Sequence, residues 1–267
     1  MACVLEACAP KPGNVNRLHD FPDTSLEDYL ISAIAIRPAF ENAARCGVGQ
    51  TIWNAVSNTH NLVRSNTNLG MVLLLAPLVK AANATEPKDI RKRLSAVLKS
   101  LTVEDARLAY SAIRLAQPGG IGKVHDSDIA GEPSITLLQA MAMAQERDSI
   151  AREYVTDFAI SFEIGLPALS QALSQGADFS SAVVQAFLTI LSKTPDTLIA
   201  RKKGIESARE VSQQAAETLA QGGIFTANGK AALTQLDRDL RDPAHMLNPG
   251  TTADLTAAAI FLYLLLK

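Results

Sequence analysis

Aromatic side chains are scarce in this 267-residue chain, at 5%, and it has a single tryptophan. Cysteine is scarcer still: Cys3, Cys8 and Cys46 are odd in number and form no CxxC pair. Neither a disulfide framework nor a zinc site is therefore indicated, and a reducing, cytoplasmic setting is expected. An excess of either charge is also lacking, with 25 Lys+Arg against 27 Asp+Glu and a formal net charge of -2. Nucleic-acid binders usually show a basic patch or stripe, so that partner is not expected. No basic segment followed by a short apolar core marks a secretory signal. The longest apolar run, Leu255–Leu266, is broken by Thr256 and falls short of the ~20 residues needed to span a bilayer. It reads as a helix buried on most sides, with no membrane as partner. Period-two alternation is nearly absent, which excludes an extensive sheet.

What is present is apolar: 48% of residues are hydrophobic, recurring at spacings of three and four, with Ala where strands would favour Val and Ile. The expectation is an all-α fold, one globular multi-helix domain of about eleven helices over 1–267. Ser25 and Asp28 suggest a capping box opening a long helix that carries Leu26, Tyr29, Leu30, Ala33 and Ile34 on one face and is ended by Gly47 and Gly49. Helices are predicted over Thr51–Arg64, over Leu69–Ala82 with a kink at Pro77, and from Pro87 to Leu98. Thr102 and Asp105 cap another that ends near Gln117, before irregular backbone at Pro118–Gly122. Ser134–Gln145, Ile150–Gln175 (bent at Gly165 and Pro167), Ser180–Ser192, Pro195–Lys203, Ile205–Ala220, Lys230–Arg241 and Thr252–Leu266 complete the set. Any domain boundary is expected in the loop at 117–133.

Four loops are more polar than turn-making requires. Pro10–Arg17 is stiffened by two prolines, carries Lys11 and Arg17, and has Gly13 for close backbone approach, followed by His19 and Asp20. It suits a phosphate, and equally a rigid lead-in. Ser65–Gly70 precedes the most apolar helix, where free N–H groups favour an anion, although Asn66 or Asn68 as a plain cap explains it as well. Thr194–Thr197 precedes Arg201-Lys202-Lys203-Gly204, the pattern of a short helix capped by Thr194. Asn248–Asp254 ends in a Thr251/Asp254 capping box. A carboxylate beside a phosphate calls for a cation between them, so a Mg²⁺-bridged polyphosphate site lined by Asp196 and Asp254 is expected. The loop at 119–123 is no Walker motif: Gln117 stands for Gly, Val124 for Ser/Thr, and a helix precedes it. Beyond it His125, Asp126, Asp128 and Glu132 could hold a divalent cation, with Asp126 and Asp128 as the metal ligands. His60 and His245 read as ordinary surface or satisfied histidines.

At these loops the chain resembles the triphosphoribosyl-dephospho-CoA synthase family. The matching segments are P-K-P-G at Pro10–Gly13, His19-Asp20, N-T-x-x-G at Asn66–Gly70, D-T-x-x-x-R at Asp196–Arg201 and P-G-x-x-A-D-L at Pro249–Leu255. The resemblance implies an all-helical transferase that moves the triphosphoribosyl group of ATP to a ribose hydroxyl of dephospho-CoA and expels adenine. It implies Lys11, Gly13, Asn66, Thr67, Gly70, Arg201 and Gly250 as phosphate or nucleotide contacts, with Asn14, Arg17, Asn68, Lys202 and Thr251 beside them. His19 and Asp20 become the acid/base pair, and Asp196 and Asp254 the Mg²⁺ ligands. Three segments depart from the family. Its N-T-H-K-G is N-T-N-L-G here, its spaced His and Asp are adjacent at 19–20, and its later Gly-rich segment is replaced by Gly119–Glu132. The N-T-N-L-G form resembles a branch tied to tetrahydromethanopterin or methanofuran one-carbon metabolism, which implies another acceptor or a ligase or hydrolase on the same scaffold. A non-catalytic binding protein is the remaining reading. The partner expected throughout is a small phosphorylated molecule, and a homo-oligomer is compatible with the sequence.

Overall fold

The computed structural model describes residues 1–82, 89–117, 133–242 and 244–267, and among them it is helical with no strand. In chain order the helices are α1 (Ala2–Cys8), α2 (Leu26–Ala35), α3 (Arg37–Glu41), α4 (Val48–His60), α5 (Leu69–Ala82), α6 (Ile90–Lys99), α7 (Val103–Ala116), α8 (Leu137–Ala144) and α9 (Ser149–Val155). They continue as α10 (Leu166–Ser174), α11 (Phe179–Lys193), α12 (Thr197–Lys203), α13 (Ile205–Ala220), α14 (Ala227–Leu240) and α15 (Gly250–Leu266). The all-helical expectation is met, but the helices outnumber the eleven or so predicted.

The surplus has local causes. The stretch read as one helix after Ser25 splits into α2 and α3, with Pro38 in the first turn of α3, where a missing N–H costs nothing. Gly47 does not end a helix; it caps the start of α4 in extended backbone. Gly49 lies in α4's first turn because a Cβ there would sit 2.5 Å from Asp105 Cα, so a glycine lets α4 press against α7. The predicted span 150–175 breaks earlier than Gly165. Asp157 and Phe158 adopt positive φ, 50° and 59°, and a π-helical turn, Ser161–Gly165, leads into α10. Two bonds hold that strained break: Phe158 N–H donates to Glu153 O at 2.8 Å and Arg91 Nε to Asp157 O at 3.1 Å. Elsewhere the local signals act as read. Thr102 and Asp105 form a reciprocal capping box, α5 runs through Pro77 over the predicted span, and α13 matches Ile205–Ala220.

Contacts gather the chain into two compact units, one of 1–26 with 159–265 and 267, the other of 27–158 with 266. The division falls at 26/27 and 158/159 rather than in the loop at 117–133, whose residues 118–132 lie outside the described set. The first unit packs α10–α14 around Phe187, Leu188, Leu169 and Val183, all fully buried, with α15 adding Ala253 and Ile260. Side chains on nearly every face of α15 are buried, which is why its apolar run has no polar stripe. In the second unit α4 lies on α7 and α5, and α5 contributes Leu74, Ala76 and Leu78 to the core. Tyr154, wholly buried, donates its hydroxyl to Leu73 O at 2.6 Å, so its one polar atom is satisfied. Among the described residues no helix is long and apolar enough to cross a membrane.

Candidate functional site

Three of the four polar loops meet within the first unit. Two tight turns follow the PKPG segment: Asn16 and His19 exchange backbone bonds at 2.9 and 3.1 Å, and Phe21 and Thr24 at 2.9 and 3.4 Å. Gly13, at φ +70°, passes so close to α14 that a Cβ would lie 2.6 Å from Leu240 Cβ, and its N–H donates to Asp237 Oδ1 at 2.9 Å. Asp237 also holds the Arg241 guanidinium at 2.8 and 3.0 Å, and Arg241 reaches Asn14 O at 3.0 Å. The side-chain amide of Asn14 contacts Pro249 O at 3.5 Å, which joins the loop to the start of α15. On the far turn Phe21 stacks on His245, ring centroids 3.9 Å apart and planes 21° from parallel. His245, read from sequence as an ordinary surface or satisfied histidine, is the stacking partner of this loop, held at φ 51°.

The next junction joins α12 to α15. Asp196 Oδ1 accepts the N–H groups of Leu198 and Ile199 at 2.8 and 3.1 Å, and Oδ2 accepts the N–H and hydroxyl of Thr252, both at 2.7 Å. Asp196, not Thr194, is therefore the cap of α12, and it caps α15 as well. The expected Thr251/Asp254 capping box is not formed: α15 has no side-chain cap of its own, and Thr251 Oγ1 pairs with Thr197 Oγ1 at 3.2 Å. Gly250 lies close to Leu198, whose Cδ2 would be 2.6 Å from a Cβ there. Burial pushes the Asp196 carboxyl above the usual range, against the downward pull of the Thr252, Ile199 and Leu198 bonds.

These positions correct several roles. Lys11 is not poised over a phosphate. It is fully buried, with Nζ 2.9 Å from Glu6 Oε1 and donating to Glu6 O and Ala9 O at 2.6 and 3.2 Å, so the PKPG lysine clamps α1 to the loop. Burial pushes Glu6 up while the Lys11 ammonium pulls it down. Gly13 and Asn14 have their amides engaged by α14 and by the residue before α15. Asp196 does not fit a Mg²⁺ ligand, because a carboxylate offers about four lone-pair directions and four donors occupy them. Asp254 stands one turn into α15, half-buried, and near enough to Cys3 to act on it electrostatically. Among the described residues no three His, Cys, Asp or Glu side chains come together to hold a metal ion, and Asp126 and Asp128 lie outside the described residues. The donor set described does not fit a protein-built metal centre.

The remaining polar groups singled out by the sequence in this unit lie on the loop at 17–20 and at the end of α12. Arg17 is exposed, its Nε bonded to Cys8 O at 2.8 Å. His19 is half exposed, with Nε2 3.8 Å from Asp237 Oδ2. Asp20 is exposed and accepts the Leu26 N–H at 2.7 Å. Arg201 and Lys202 close the last turn of α12, both half-buried. Lys202 Nζ donates to His245 O at 3.1 Å, and burial lowers its pKa against the opposing pull of Asp196, Asp242 and Asp23. Sequence reading missed Glu6, Asn16, Asp237 and Arg241. Only the i,i+4 spacing of Asp237 and Arg241 is a visible signal, and that spacing is common on any helix.

The fourth loop belongs to the second unit. Asn66 Oδ1 caps α5 by accepting the Leu69 N–H at 3.1 Å, Thr67 and Ser32 share a hydroxyl bond at 2.5 Å, and buried Asn68 donates to Thr59 Oγ1 at 3.0 Å. Gly70 follows in the first turn of α5. A cavity of about 210 Å³ opens here, bounded by Arg64, Asn66, Asn68 and, across from them, Gln117 in left-handed backbone.

The fold is all-α, and three of its four polar loops meet at helix ends in the first unit. The family model for ATP:dephospho-CoA triphosphoribosyl transferase matches residues 1–267, and the chain belongs to that family. A relative in Pseudomonas savastanoi pv. phaseolicola that bears the name 2-(5''-triphosphoribosyl)-3'-dephosphocoenzyme-A synthase is 27% identical over 98% of this chain and 87% of its own. One of the same name in Pseudomonas putida is 36% identical over 95% of this chain and 88% of its own. A crystal structure from Archaeoglobus fulgidus that bears the name triphosphoribosyl-dephospho-CoA synthase superposes with a TM-score of 0.69 at 33% identity, covering 89% of this chain and 98% of that one.

Proposed function

We propose that this protein transfers a triphosphoribosyl-type group from ATP to the hydroxyl of a small acceptor other than dephospho-CoA. The reading rests on the family match over the whole chain, with the gathered loops of the first unit as the place where the chemistry is sited. In the reaction the acceptor oxygen bonds to C1′, the C1′–N bond breaks, and adenine leaves with the electron pair. The transition state is oxocarbenium-like, so a base for the hydroxyl proton and cations for the phosphates suffice. His19 is the base; Arg17, Arg201 and Lys202 are the cations. Asp20, whose Oδ1 is taken up by Leu26, holds the turn that carries His19. Magnesium would reach this protein on the nucleotide's own phosphates.

One difference from the family supports the altered acceptor. Where the family has His and Lys in N-T-H-K-G, this chain has Asn68 and Leu69, both buried. Neutral side chains built into the packing supply no charge to a bound polyphosphate, which supports an acceptor less charged than dephospho-CoA. A pterin- or furan-type intermediate of one-carbon cofactor synthesis fits that description, and it also keeps open a ligase or hydrolase on this scaffold. The test is product analysis with ATP and each acceptor class. Adenine formed only when acceptor is present supports the transfer; ADP or free phosphate in its place assigns the scaffold to the ligase or hydrolase chemistry.

A further inference from the structure

Asp237 has more to hold than its helix requires. On α14 it forms an i,i+4 fork with Arg241, which any exposed helix can make. Yet the same carboxylate also takes the Gly13 N–H at 2.9 Å, and His19 Nε2 lies 3.8 Å from its second oxygen. Both come from the loop at 10–20, more than two hundred residues away in sequence. Gly13 makes the approach feasible, since any side chain there would collide with Leu240. Arg241 completes the tie by donating to Asn14 O, so loop and helix are joined by charge-assisted bonds at two places. Asp237 is about one-fifth exposed and Arg241 similar, whereas His19 is half exposed: the orienting groups are sheltered and the oriented group faces solvent.

We infer that Asp237 is the positioning residue for His19, selecting the tautomer with the proton on Nε2 and leaving Nδ1 as the acceptor for a substrate hydroxyl. Which ring nitrogen carries the proton is set by what the other atoms of the ring meet, and a carboxylate beside Nε2 favours Nε2–H. At 3.8 Å the contact is longer than a hydrogen bond, and catalytic contacts of this kind commonly tighten only with substrate bound. Arg241 holds the carboxylate in place from two sides, and Gly13 fixes the loop from which His19 projects. This inference deepens the transfer reading above and rests on it for the role of Nδ1, but not for the tautomer.

The test is ¹⁵N imidazole NMR on the full chain. His19 in the unmodified protein is expected to be mainly Nε2–H, and Asp237→Asn, which keeps an oxygen for Gly13 but places an amide donor by the ring, is expected to populate Nδ1–H. A ring that is mainly Nδ1–H in the unmodified protein overturns the proposal whether or not the variant folds, and so does an unchanged ratio in a folded variant. In the adenine-release assay, Asp237→Asn should lower kcat about 10- to 100-fold with KM for ATP unchanged. It should add nothing in a His19→Gln background; an equal, independent loss there also overturns it. If no acceptor supports adenine release, the transfer reading fails while the NMR result still decides the positioning role.

Discussion

Asp196 accepts both the N–H and the hydroxyl of Thr252 through one oxygen at 2.7 Å, while its other oxygen caps α12. One buried carboxylate thus closes the starts of two helices 56 residues apart in sequence. Asn in its place would set an amide donor against the Thr252 N–H, and Ala would leave several buried donors unmet. Asp196→Asn should cost about 1–3 kcal/mol and Asp196→Ala more, read by urea unfolding. A stability within about 0.5 kcal/mol of the parent for both variants would show that this junction is not the joint described.

The Lys11–Glu6 pair gives a second prediction. Removing one member of a buried pair leaves an uncompensated charge, so Lys11→Met should destabilise by about 3–5 kcal/mol. Glu6→Gln combined with Lys11→Met should recover part of that. The pH dependence has a definite sign. With Lys11 gone, burial alone holds the Glu6 carboxyl above its unfolded value of about 4.3. The folded state then binds the extra proton, and stability falls as pH rises through that window. Unfolding curves for Lys11→Met that improve with rising pH would contradict the buried position of Glu6.

Cysteine reactivity should differ by site. Burial pushes the Cys3 thiol up to about 12, while Cys8 and Cys46 are partly accessible. At neutral pH an alkylating reagent on the folded protein should label Cys8 and Cys46 well before Cys3, read by peptide mass spectrometry. Cys3 labelled at the same rate would mean that α1 detaches readily.

At the start of α11, Asp178 accepts the N–H and hydroxyl of Ser181 at 3.0 and 2.6 Å. Those bonds, the hydroxyl first, hold its carboxyl below the usual range. Its contribution is therefore present above the unfolded value of about 3.9 and lost as pH falls through the lower folded value. Asp178→Asn should lower the melting temperature at pH 7, and the difference from the parent should narrow toward pH 3. A difference that is constant with pH would place the effect elsewhere.

Much of this protein is written locally. The Thr102/Asp105 box, the span of α5 and the span of α13 follow from caps and from apolar residues three and four apart, signals whose range is a turn or two. The same logic fails at Gly47 and Gly49, which read as a helix stop. They are a helix start, because the backbone that demands a glycine at 49, that of Asp105, lies 56 residues away. The loops that meet in the first unit were also legible as loops, and their motifs carry the family.

By itself, then, the sequence determines the all-helical class, most helix spans, the motifs and the family, since each depends on residue types and short spacings. The jobs of individual residues were decided by tertiary structure. Lys11 and Asp196 have the composition of a phosphate and metal site, yet packing gives them Glu6 and Thr252 as partners and removes them from any ligand. Asp237 carries no motif at all and acquires its role because Gly13 lets a distant loop come within hydrogen-bonding range. The physical reason is that a charged side chain goes to whichever partner satisfies it at burial, and that partner is chosen by the fold rather than by its neighbours in the chain.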